Sequence, residues 1–154
     1  MLQDRATSEA NVARFVERSV RERMVWGLVS KSGDWAFCPS HEEKNADVLV
    51  FWSDRAYAAR HVKEGWSEYE PKSIGLDQFM ARYLKVMHED GLRVGPNWDA
   101  HLCGVEMSAL DLASQLDAEE QRANPESYVT RSRHMTLVEQ ARGEPETKTL
   151  PPED

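Results

Sequence analysis

The chain has 154 residues, 40% of them hydrophobic, and a formal net charge of -8. That length suits one domain around one core, and a surface of that sign repels phosphate backbones and anionic lipid headgroups, which argues against nucleic-acid and membrane partners. No apolar run approaches the roughly 20 residues that span a bilayer, neither end reads as an export signal, and two cysteines are too few for a disulfide framework, so a cytoplasmic location is expected.

The acidity is uneven: residues 42–120 hold eight basic and sixteen acidic groups, whereas the flanking segments are close to neutral. In chain order, Val12, Phe15, Val16 and Val20 form an apolar stripe that predicts a first helix, with Thr7 or Ser8 as its N-cap. Met24–Ser30 and Trp35–Cys38 flank a Ser-Gly-Asp turn and predict a β-hairpin. A polar loop over residues 39–45 leads into Val48–Trp52, five apolar residues in a row, which suit a central strand covered on both faces. Ser53 is placed to cap a helix from Asp54 to about Lys63 that buries Ala56, Ala59 and Val62. Pro71 forces extended backbone on Glu70. Leu76, Phe79, Met80, Tyr83, Leu84 and Met87 then make the strongest helical pattern in the chain, with Gly75 before it and Gly91 as the C′ residue. Leu92–Val94 and Leu102–Glu106 read as two more strands, and Ser108 caps a last helix carrying Ala109, Leu112, Ala113 and Leu116. Together these predict an α+β fold: one compact domain over residues 1–121 with a mainly antiparallel sheet of about five strands, then a C-terminal extension over residues 122–154 that is partly flexible and has room for a short helix between Tyr128 and Gln140.

Large aromatic residues stand beside turns and charges in Val25-Trp26-Gly27-Leu28, Phe51-Trp52-Ser53, Trp66-Ser67-Glu68-Tyr69-Glu70-Pro71-Lys72, Gly95-Pro96-Asn97-Trp98-Asp99 and Gly104-Val105-Glu106. In these motifs, spread over residues 15–116, the chain resembles the bacterial domain of unknown function 2750 family. The resemblance implies that family's architecture and a bacterial source, and it assigns no activity. Gly75 stands where the family more often has a capping Ser or Thr.

No glycine-rich phosphate loop, nucleophile elbow or His-Glu-x-x-His pair is present. Cys38, His41, His101 and Cys103 are four soft ligands at non-standard spacing, and the more economical reading buries both cysteines on strands, so no metal and no cofactor is expected. His61 and His88 are expected to be exposed on helices. The acidic pairs Glu68 with Glu70, and Asp54 with Asp99, read as caps and turn residues ahead of general acid/base catalysis, so no catalytic residues are assigned. Trp26, Trp35 and Trp52 read first as core, whereas core packing and surface recognition weigh equally for Trp66, Tyr69 and Trp98. The candidate binding surface therefore comprises Trp52, Arg55, Trp66, Glu68, Tyr69, Glu70, Lys72, Trp98 and Asp99. The expected function is a non-enzymatic acidic module that binds a basic protein, in its sharpest form an inhibitor or immunity-type protein. The alternative is a small enzyme or ligand-binding protein with a pocket among the Trp52, Trp66 and Trp98 loops.

Overall fold

The computed structural model describes residues 5–126. Residues 1–119 form one compact unit and residues 120–154 a second, of which only 120–126 are described. The predicted helix between Tyr128 and Gln140 lies outside the described residues.

Helix α1 (Arg5–Glu22) buries the stripe Val12, Phe15, Val16 and Val20. Thr7 and Ser8 lie inside it and do not cap it. The helix stops at Arg23, a non-glycine residue in the left-handed region at φ 61°. Arg23 is held there by its guanidinium on Asp77, at 2.8 Å, and by its carbonyl, which accepts from the Leu76 N–H.

Six short strands follow, β1 (Met24–Val29), β2 (Phe37–Pro39), β3 (Asp47–Phe51), β4 (Glu70–Gly75), β5 (Arg93–Pro96) and β6 (Met107–Ser108). They pair as β1–β4 and as β2–β3–β5–β6, antiparallel except for β3–β5, which run parallel. Paired Trp26 and Trp52 backbone bonds of 2.7 Å tie the two sheets. The expected hairpin exists only at its tip, where Val29 bridges Trp35 and the turn closes from Ser30 to Asp34. Beyond it β2 leaves β1 for β3, and β1 takes β4 instead, a strand that Pro71 hides from local reading because it removes a ladder donor.

β3 is central, as its apolar run requires. Val48 and Val50 face a core with Leu28, Ala36, Trp52, Ala58 and Trp98, whereas Phe51 faces a larger one with Phe15, Val25, Phe79 and Leu112. The second helical pattern forms α3 (Leu76–Gln78), a π-helical turn (Phe79–Tyr83) and α4 (Leu84–Glu89) in direct succession, with Leu76, Phe79, Leu84 and Met87 buried. Gly91 at φ 72° completes a Schellman stop, because its N–H reaches the His88 carbonyl and that of Leu92 the Met87 carbonyl. Ser108 Oγ accepts from the Asp111 N–H and caps α5 (Ala109–Ala123).

Two further expectations fail. Helix α2 (Arg55–Ala59) is a turn and a half long, is capped by Asp54 and not Ser53, and buries Ala58 while Ala56 is exposed. Residues 102–106 are not a strand: Leu102 takes φ 57°, and Asp99 gathers the Cys103 and His101 N–H groups into a closed loop.

Candidate functional site

The parallel pair sets the site. Where β3 and β5 run side by side, their carboxyl ends emerge together, and in sheets with parallel strands ligands bind in the crevice outside those ends. Here the chain leaves β3 through Ser53 and Asp54 into α2, and leaves β5 through Asn97, Trp98 and Asp99. Asn97 locks the two exits together. Its N–H donates to the Phe51 carbonyl at 2.9 Å, and its side-chain oxygen accepts from the Ser53 N–H at 2.9 Å. Its amide donates to Ser53 Oγ at 3.1 Å and to the Asn11 carbonyl of α1 at 3.3 Å. This residue is 5% exposed and sits at φ 51°, a region in which Asn is favoured over other non-glycine residues.

Beneath it lie the tryptophans. Trp52 is 0% exposed and donates its indole N–H to the Trp98 carbonyl, and Trp98, 3% exposed, donates to the Val105 carbonyl. The Trp98 ring packs closely against Gly95 and Gly104, where an added Cβ would fall 2.5 Å from it. Both residues are core side chains and cannot present a recognition surface.

Above this floor opens a crevice of about 240 Å³ lined by Asn11, Arg14, Tyr57, Arg60, Asn97 and Asp99. Arg60 stacks over the Tyr57 ring at 5.4 Å, which orients its guanidinium without consuming its donors. Arg14 spends one donor on Asn11 Oδ1 at 2.9 Å. Arg18 also approaches the Tyr57 ring, but Asp54 neutralises it at 2.6 Å. Two guanidinium groups thus face one carboxylate, Asp99, whose Oδ1 is already engaged by two backbone N–H groups. The crevice is a local reversal of charge on a chain of net charge -8.

His61, expected on the surface, is 4% exposed and stacks on Trp52 at 4.9 Å with 25° between the planes. Burial pushes its pKa down to about 4, helped by Arg60 and Lys63 and opposed by Asp99, so the ring is neutral at pH 7. Among the described residues its Nε2 has no hydrogen-bond partner.

Of the expected surface, only Asp99 lines the crevice. Trp66 and Tyr69 are half-buried and packed against the Trp52 core, with rings 6.3 Å apart. Arg55, Glu68, Glu70 and Lys72 are exposed, Glu68 lying 3.7 Å from Lys31 Nζ. Asn11, Arg14, Tyr57 and Arg60 carry no signal in sequence because they are polar residues on or just past helices, where solvation is the default; Arg14 and Arg60 stay exposed, and only the tertiary structure sets them around one crevice.

The cysteines do not meet as a ligand set. Cys38 is half-buried on β2, with its thiol pushed up by burial, and Cys103 lies in the 99–103 loop with Sγ 3.6 Å from the His101 carbonyl. Among the described residues no three His, Cys, Asp or Glu side chains converge on a metal position. Glu106 instead anchors a structural knot. Burial raises its carboxyl, but hydrogen bonds from Ser40, the His41 N–H and Arg93 outweigh that and hold it below the usual carboxylate range.

These features define a small α+β protein whose polar crevice lies at the carboxyl ends of a parallel strand pair, beside residues of α1 and α2. The chain belongs to the family described as protein of unknown function (DUF2750), whose model matches residues 12–116, from the buried stripe of α1 to the last buried leucine of α5. The motifs Phe51-Trp52-Ser53 and Gly95-Pro96-Asn97-Trp98-Asp99 fall at the two strand exits. A comparison with curated proteins and one with solved structures returned no match. Among the described residues no helix is long and apolar enough to cross a membrane.

Proposed function

We propose that the protein is a binding module for a small anion, with Arg14 and Arg60 as its ligands and Asn97 as the residue that holds the site in shape. The observation that supports this reading is the pair of arginines converging on a concavity of an otherwise acidic chain. Both are weakly engaged by the protein itself. The volume, below the roughly 300 to 1,000 Å³ of pockets for drug-sized ligands, suits a phosphate or short dicarboxylate and not a nucleotide. The reading is one of binding, with Asp99 Oδ1 held by its own loop. A bacterial, cytoplasmic setting is part of the same proposal.

Titration calorimetry with inorganic phosphate and with succinate tests this. One of them is expected to bind saturably, and Arg14→Gln and Arg60→Gln each to weaken it at least tenfold, the usual worth of a charge-assisted hydrogen bond, with the urea midpoint unchanged. Absence of saturable binding by both anions would overturn the reading.

A second reading, capture of a basic protein partner, draws on the exposed Glu68 and Glu70 beside half-buried Trp66 and Tyr69. Its association rate would fall steeply as salt rises, because exposed charges are screened beyond about 10 Å at 0.1 M. Trp98 is no anchor in it, being core. Affinity capture from the native cell at low and high salt separates this reading from the first.

A further inference from the structure

A second concavity lies between Trp35 and β3 on one side and the helical run through α3, the π-helical turn and α4 on the other. Its volume is about 420 Å³, within the range of small-molecule pockets. Trp35, Leu49, Tyr83, Met87 and Leu92 form its walls, and Val86, 50% exposed, its lip. Phe37, also 50% exposed, is the cross-strand partner of Leu49 and extends the apolar surface on the same face.

Among the described residues that line this groove, Arg82 is the one charged side chain, and Gln78 and the Tyr83 hydroxyl are the other polar groups. The other charges on the helical run are matched, Asp77 by Arg23 at 2.8 Å and Lys85 by Glu89 at 3.7 Å. Arg82 makes no hydrogen bond or ion pair among the described residues. Arg82 is exposed, so its guanidinium stands at the edge of an apolar hollow with all its donors available to an anion from outside. The segment that carries Arg82 and Tyr83 is the π-helical turn, where the Leu84 N–H reaches back five residues to the Phe79 carbonyl. Such turns are rare and concentrate at functional sites.

We propose that this groove binds a free, small amphipathic carboxylic acid, its carboxylate on Arg82 and its apolar body against Trp35, Leu49 and Met87. The pairing of one cation with an apolar wall selects for an acid over a neutral lipid, and a volume of about 420 Å³ suits a molecule of about ten non-hydrogen atoms.

Octanoate and octanol serve as probes, read by NMR at the Trp35 indole N–H, assigned with Trp35→Phe, and at the Met87 methyl. Octanoate is expected to shift both signals saturably and to bind at least tenfold more tightly than octanol. Arg82→Gln is expected to bring octanoate down to the octanol level while leaving octanol unchanged, a split that a merely structural arginine would not produce. Equal binding of acid and alcohol, no shift at either signal, octanoate shifts centred on Tyr57 and Arg60 instead, or tighter binding by an apolar tetrapeptide with a free C-terminus would each overturn the proposal.

Discussion

At the scale of single residues, the two buried tryptophans show how one side chain dictates its neighbours. Trp98 has room only because Gly95 and Gly104 lack a Cβ. Trp98→Ala is therefore expected to cost about 3 to 5 kcal/mol in urea unfolding, and Gly95→Ala about 1 to 3 kcal/mol by overpacking. In the Trp98→Ala background, however, Gly95→Ala should add almost nothing, since the clash is gone; additive costs would show that the glycine is needed for another reason. His61 gives a pH signature with a definite sign. Its native pKa of about 4 lies below the ordinary 6.5, so between those values the unfolded chain takes up a proton that the native state refuses. Stability should fall as pH drops through that window, by up to about 1.4 kcal/mol per pH unit from this residue, and should be insensitive to it above about 6.5. Urea midpoints at pH 7, 6 and 5 check this, with His61→Phe expected to flatten the dependence. An unchanged slope in the variant would assign the acid sensitivity elsewhere.

At the scale of elements, the run from Leu76 to Glu89 shows what periodicity can and cannot say. Spacings of three and four placed Leu76, Phe79, Leu84 and Met87 on the core correctly. The same spacing gave no sign of the π-helical turn, whose wider winding keeps Phe79 and Tyr83 stacked at 6.3 Å while Tyr83 also meets Trp35 edge-on at 5.7 Å. Leu84, 3% exposed, follows directly on that turn, and Leu84→Ala is expected to cost about 2 to 5 kcal/mol. A loss below about half a kcal/mol in denaturant melts would mean that the wider turn lets the site collapse. Elements of low local signal were misjudged, each for its own physical reason. β4 contains Pro71, α2 is too short to hold together by propensity, and residues 102–106 carry strand-forming side chains on backbone bent by the Asp99 loop.

At the scale of the whole described unit, the Arg93 knot is what joins distant segments. Its side chain, 13% exposed, bonds Glu106 at 2.8 Å and reaches Glu42 and Glu43 at 3.1 Å, so the 40–46 loop, β5 and the approach to β6 share one charge centre. The Glu106 side chain is only 4% exposed, and Arg93→Ala would leave it buried without its cation, at an expected cost of about 3 to 5 kcal/mol. Adding Glu106→Gln should recover part of that loss; no recovery in a double-mutant cycle would place the cost in packing alone. The knot also marks the boundary between what sequence and tertiary structure decide. The sequence by itself determined the α+β class, the buried faces of α1, α4 and α5, the central place of β3 and the Ser108 and Gly91 caps, because periodicity, apolar runs and capping chemistry act within a few residues. Only the tertiary structure decided that β1 pairs with β4, that β3 and β5 run parallel, and that Trp98 and His61 lie inside while Arg14 and Arg60 converge. Those outcomes depend on contacts between segments tens of residues apart, where a polar helix face and a half-buried aromatic residue look the same in sequence whether they meet solvent or each other.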